Sequence, residues 1–188
     1  LNFQLLLLVV NSNYKSTVKI IGGNWKRKNI SFHGSNNLRP TLNRIRETLF
    51  NWLDQDLSNK NCIDLFAGSG ALGFEALSRN ASSCTFIESN KSSYLKLEEN
   101  KNNLNAVKAK IFEGDGLKFL ENNNELFDII FCDPPFGILD SLDLIELANK
   151  SLTKNGLIYF ESDIEISSKD LNIYKTSKAG NVYFYLIK

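Results

Sequence analysis

An α/β fold, with a mostly parallel sheet of seven strands ending in an antiparallel hairpin, is what this 188-residue sequence predicts. Three observations carry the prediction. From about Asn61 onward, short apolar strands alternate with helical stretches. Those strands are apolar on both faces, as in a sheet covered by helices on both sides. The tail LNIYKTSKAGNVYFYLIK then offers two strands around a Lys-Ala-Gly-Asn turn in place of another crossover. Composition agrees: 43% hydrophobic and 23% charged residues exclude disorder, a collagen-like repeat and a polytopic membrane protein. At this length folding buries roughly 70% of the extended-chain surface, so neither a disulfide nor a metal is needed to hold one domain together.

Residues 1–17 form an extension. Its apolar run, Leu5 to Val10, lacks a basic region and a small-residue cleavage site and is too short to span a bilayer. It reads as an edge strand or an ill-ordered segment, and in a chain without Met its first residue need not be the native start. A single domain is expected over 18–188. Within it, residues 18–32 (VKIIGGNWKRKNISF) read as a Gly-turned β-hairpin, and 39–53 (RPTLNRIRETLFNWL) as a helix with Thr41 as N-cap after Pro40. Leu42, Ile45, Leu49, Phe50 and Leu53 would be its buried face. The sheet domain, 61–188, follows with strands at 62–66, 84–88, 109–115, 127–133 and 156–162. Helices are expected at 71–80, 91–104 (apolar positions Tyr94, Leu95, Leu97 and Leu104), 116–120 and 142–152.

Cys62, Cys84 and Cys132 are odd in number, far apart and each inside an apolar run, which predicts buried free thiols in a reducing cytoplasm. With His33 the sole histidine and no Cys-x-x-Cys pair, no metal site is expected. The net charge of +1 averages two unlike segments: through Leu53 the chain carries +7, and the remainder carries −6. A basic arm on an acidic sheet suits a nucleic-acid partner better than the sum suggests.

The chemistry-bearing residues fall at strand ends. Asp64-Leu-Phe-Ala-Gly68-Ser69-Gly70-Ala-Leu-Gly73 lies between a strand and a helix, where glycines let a ligand approach the backbone and the helix start offers free N–H groups. Glu88, 20 residues after Gly68, is spaced to bind the ribose hydroxyls of NAD or of S-adenosylmethionine. A ligand amine or a loop-capping bond would account for Asp64. Asp115 before Gly116 is a third strand-end acid, a ligand contact or a helix cap. Asp133-Pro134-Pro135-Phe136 follows the fourth strand: a carboxylate, a proline carbonyl and an aromatic face suit a planar group bearing an NH₂.

Taken together with Ile20–Arg27, Leu38–Leu53 and Phe66–Arg79, these motifs resemble the RsmD family of bacterial 16S rRNA guanine-N2 methyltransferases, from about Val18 to the end. The resemblance implies the Rossmann-like, seven-stranded sheet of class I methyltransferases, parallel with a C-terminal antiparallel hairpin. It also implies S-adenosylmethionine as cofactor, and guanine 966 of 16S rRNA, naked or in the small ribosomal subunit, as target. Carried over residue by residue, Asp64 would hold the cofactor's α-amino group, Gly68, Ser69 and Gly70 its methionine and ribose, Glu88 the ribose hydroxyls, and Asp115 with Gly116 the adenine edge. Arg39 and Thr41 would lie beside the cofactor. Asp133, Pro134 and Phe136 would hold the guanine as the catalytic set. Trp25, Lys26, Arg27, Lys28, His33, Arg44 and Arg46 are the candidates for RNA contact. A cytoplasmic monomer away from membranes is expected. The rival readings are an amine methyltransferase acting on DNA or protein, an NAD-dependent oxidoreductase, and a non-catalytic RNA-binding module.

Overall fold

The computed structural model describes residues 15–33, 40–135, 137, 141–166 and 171–188. Two strands, β1 (Lys15–Lys19) and β2 (Asn29–His33), pair antiparallel, and the chain turns between them through a 3₁₀ segment at Gly23–Trp25. Helix α1 (Pro40–Trp52) follows. Then come β3 (Asn61–Asp64), α2 (Ala71–Ser78), β4 (Ser83–Glu88), α3 (Lys91–Leu104), β5 (Ala109–Glu113), α4 (Gly116–Asn122), β6 (Phe127–Cys132) and α5 (Ser141–Asn149). Strands β7 (Leu152–Ser162), β8 (Ile173–Ala179) and β9 (Val182–Ile187) complete the chain.

The seven-stranded sheet has the order β5-β4-β3-β6-β7-β9-β8. The five strands from β3 to β7 run parallel, and β9 and β8 form the antiparallel hairpin at one edge. Strand order reverses between β3 and β6, and it is in the crevice outside the carboxyl ends at such a switch point that open α/β sheets bind ligands.

Side-chain parity divides the core. Cys62, Ile129, Phe131, Tyr159 and Leu186 face a layer of the N-terminal hairpin, α1, α2 and α3; Ile63, Ile130, Ile158 and Tyr185 face α4 and α5. Phe50 of α1 meets Phe131 at 6.1 Å, and Trp52 stacks on Phe184 at 5.2 Å, so α1 is part of this core. All three cysteines are free and buried. Among the described residues no helix is long and apolar enough to cross a membrane.

Several boundaries differ from expectation. Lys15, Ser16 and Thr17, assigned to the extension, belong to β1 and pair with His33, Phe32 and Ser31; the rest of the extension lies outside the described residues. Helix α1 begins at Pro40, so Thr41 is inside the helix rather than its cap; proline fits the first position because that N–H is unsatisfied in any helix. Helix α5 ends at Asn149, not 152, because Ser151 O accepts the Phe127 amide and draws the chain into β7. Leu95, expected on the apolar face of α3, is 56% exposed. Asn100 is buried there instead: its Nδ2 donates to Ser31 O at 2.7 Å and its Oδ1 accepts from Ser31 N at 3.0 Å, standing in for a neighbouring strand beside β2.

Candidate active site

The loop between β3 and α2 depends on glycine at two points. Gly70 has φ +77° at the helix start, and a Cβ there would collide with Leu97 and Phe74. Gly68, at φ +50°, presents a bare face to open space, with nothing closer to a would-be Cβ than Phe66 O at 3.9 Å. Gly70 caps α2 without a side chain, so the first turn's free N–H groups need another acceptor. Asp64, at the end of β3, supplies it by accepting from Gly73 N at 3.0 Å. The loop-capping bond open to Asp64 is formed. Its carboxyl is buried and pushed up to about 7, by burial first and by the charges of Asp133 and Glu88 after it, while the Gly73 bond pulls the other way.

Glu88 accepts from Gly68 N at 2.7 Å and from Asn90 N at 2.7 Å, tying the glycine loop to the end of β4. Asp115 caps α4 by accepting from Lys118 N at 3.0 Å. Gly68, Glu88, Asp115, Gly116, Asp133 and Pro135 line one cavity of about 200 Å³ at the carboxyl edge of the sheet. A second, of about 130 Å³, is lined by Val18, Ile45, Arg46, Ser69, Leu72, Asp133 and Glu161 among others. Asp133 belongs to both. Its carboxylate opens to solvent through them while protein surrounds it on most sides, and that burial raises its pKa above the ordinary carboxylate range.

The glycine loop therefore separates two hollows. Gly68 faces the first and Ser69 the second, while Asp64 and Gly70 contribute side chain or backbone to the lining of neither. Pro134 is buried directly beside them. Arg39 and Phe136 lie outside the described residues, as do the side chains of Thr41 and His33. A larger hollow, about 370 Å³ between α5 and the C-terminal strands, lacks convergent acids and adjoins segments outside the described set.

The expected RNA-contact set divides. Trp25, Lys26, Arg27 and Lys28 sit at the hairpin turn, where Trp25 N donates to Ser78 Oγ at the far end of α2. That places them at the amino edge of the sheet, a helix length of about 12 Å from the cavities. Trp25 is half-buried and packs on the core rather than standing free as a stacking platform; the three basic residues are exposed, as is Arg44. Arg46 is buried, unlike the other described basic residues of the set. It is 4% exposed, and its Nη2 donates to Lys19 O at 2.7 Å and to Asn43 Oδ1 at 3.1 Å, while its Nε has no partner among the described residues. Burial lowers its pKa. This guanidinium anchors β1 to α1 in the wall of the second cavity.

One site residue escaped the sequence reading. Glu161 stands in the apolar run GLIYFES and is 6% exposed. An acid at the carboxyl end of a strand otherwise built for the core was the available signal.

A family profile described as Conserved hypothetical protein 95 matches residues 18–188. The chain is 40% identical over 178 residues to Ribosomal RNA small subunit methyltransferase D of Buchnera aphidicola, covering 91% of this chain and 93% of that protein. The protein of the same name from Escherichia coli K12 is 40% identical over 183 residues, covering 94% and 92%. The chain belongs to the RsmD family. The solved structure of a putative methyltransferase, yhhF, from E. coli superposes on this family member with a TM-score of 0.82 at 37% identity, covering 91% of this chain and 97% of that one. The fold is shared at 20% identity with the Thermus thermophilus 16S rRNA N2 G1207 methyltransferase, solved with AdoMet and guanosine (TM-score 0.72, covering 92% of this chain and 49% of that one). The Rossmann-like class I methyltransferase sheet, parallel with a C-terminal antiparallel hairpin, is thus the fold of this chain.

Proposed function

We propose that this chain transfers the methyl group of S-adenosylmethionine to the exocyclic N2 amine of a guanine in 16S rRNA, guanine 966 by the family resemblance. Methylation of small-subunit rRNA rests on family membership and on the names of the relatives. The choice of an amine rests on one observation: Asp133, followed by Pro134, is shared by two cavities that meet at the sheet's switch point.

The first cavity suits the cofactor. Glu88 and Asp115 are acceptors for hydroxyl and amine donors, the backbone of Gly116 lies beside them, and Gly68 leaves the wall bare for close approach. These residues would hold S-adenosylmethionine, with Asp64 fixing the loop from beneath. When bound, the cofactor supplies an electrophilic methyl group on a sulfonium. The second cavity would take the target base. A guanine amine is a poor nucleophile because its lone pair is delocalised into the ring. Acceptance of its two N–H bonds by Asp133 and the Pro134 carbonyl turns the lone pair out of the ring plane and orients it toward the first cavity. Alignment of this kind is worth roughly 7–11 kcal/mol. The proton shed afterwards leaves from an acidic, cationic nitrogen, so Asp133 need not be a strong base. Unstacking the base costs a few kcal/mol, and backbone contacts by Lys26, Arg27, Lys28 and Arg44 would offset it.

Incubation with labelled S-adenosylmethionine and unmethylated small ribosomal subunits, followed by nucleoside analysis, should yield N2-methylguanosine. Asp133→Ala should keep cofactor affinity within a few-fold by isothermal titration and lose at least about 100-fold in transfer. Product on DNA or protein alone, or retained turnover in the variant, would defeat the proposal.

A further inference from the structure

Strand β7 carries a carboxylate where its sheet position calls for an apolar side chain. Glu161 opens onto the second cavity, and Tyr159, fully buried two residues earlier on the same face, donates its O–H to Glu161 Oε1 at 2.5 Å. One oxygen is thereby fixed; the other makes no hydrogen bond among the described residues. The register pairs Phe131 with Tyr159 and Cys132 with Phe160, so Asp133 and Glu161 follow at the carboxyl ends of neighbouring strands, and both line the second cavity. Phe131 and Tyr159 meet edge to face beneath them.

Two acceptors thus open onto one hollow, whose remaining wall is apolar at Val18, Ile45, Ala71 and Leu72 and polar at Asn43, Arg46 and Ser69. Burial raises the pKa of both carboxyls, and the Asp133 charge raises that of Glu161 further. An occupant that brings two adjacent donors matches such a pair. Among the RNA bases the Watson–Crick edge of guanine alone does so, with N1–H next to the N2 amine. Adenine and cytosine place a ring acceptor beside the position, and uracil flanks its single N–H with carbonyls.

We infer that Glu161 selects guanine by accepting the N1–H of the target base alongside Asp133, with Tyr159 holding its carboxyl in place. This rests on the guanine-amine reading above and deepens it. Sites built to bond a polar edge reject analogues lacking it strongly, because their own buried groups are left unpaired.

The test compares kcat/KM on target RNA carrying guanine with RNA carrying 2-aminopurine, which keeps the amine but presents a lone pair at N1. The wild type should prefer guanine by at least about 100-fold. Glu161→Gln, checked for an unchanged thermal melt and unchanged S-adenosylmethionine affinity, should lose most activity on guanine. Its amide can donate to N1 of 2-aminopurine, so its preference should narrow to below about 10-fold. Equal use of both bases by the wild type overturns the inference whatever the variant does, as does a Glu161→Gln enzyme with the wild-type preference. No transfer to guanine by the wild type would instead overturn the underlying function.

Discussion

Glu75 joins the N-terminal hairpin to the sheet domain, and its replacement by glutamine tests that junction. The side chain is fully buried, on α2. Its Oε2 accepts from Ile21 N at 2.7 Å; its Oε1 accepts from Gly22 N at 2.7 Å and from Arg79 Nε at 2.9 Å. Arg79 is itself buried and lies over the Phe50 ring at 4.9 Å. Glu75→Gln keeps the shape, but it turns one acceptor into a donor facing the Ile21 N–H and leaves the Arg79 charge without its counter-ion. Breaking a buried pair from one side costs about 3–5 kcal/mol, a large part of the roughly 5–15 kcal/mol that holds a domain folded. With an m-value of about 2 kcal/mol/M, the urea midpoint should fall by about 2 M. Amide exchange at Ile21 and Gly22 should quicken more than at β6. The hairpin also places Val18 in the wall of the second cavity, and its Lys19 O holds the Arg46 of that wall, so methyl transfer should suffer more than cofactor binding. A loss under about 1 kcal/mol with unchanged exchange at residues 21 and 22 would refute the reasoning.

Asn100→Leu leaves the Ser31 N–H and C=O unpaired inside the protein and should cost about 2 kcal/mol or more in chemical denaturation, with β2 losing exchange protection. The Asp64 carboxyl has a folded pKa raised to about 7, so the native state binds more protons than the unfolded chain between roughly pH 4 and 7. Stability from this group is therefore present at low pH and is lost as pH rises through that window. Asp64→Asn, which can still accept from Gly73, should flatten the decline of Tm between pH 5 and 8, and an unchanged slope would count against the assignment. Reversing charge at Lys26, Arg27 and Lys28 should weaken binding to rRNA fragments and make its log–log salt dependence shallower by about 2 to 3. Cofactor affinity should stay the same, since the turn lies at the opposite sheet edge from the glycine loop.

Local patterns settled the parallel sheet, its closing hairpin and the strand-end positions of Gly68, Glu88, Asp115 and Asp133, because apolar runs with a period set by the backbone and glycines at a strand-to-helix turn act over a few residues. Such patterns say little about which polar side chains fold inward. Arg46 read as one more cation of a basic arm, yet it is buried against Lys19 O; Asn100 is not among the apolar positions expected of its helix, yet it is buried and clamps Ser31; Glu161 falls inside an expected strand, yet it opens onto the cavity that Asp133 shares. Each of these outcomes depends on a partner 27 or more residues away in the chain, counting Asp133 to Glu161 at 28. A buried polar group is tolerated only when such a partner meets it, and tertiary packing alone brings the two together. The sequence by itself therefore determined the scaffold and the acids on its rim. The tertiary structure decided that the rim holds two hollows meeting at Asp133, and that the basic turn lies at the other end of the sheet.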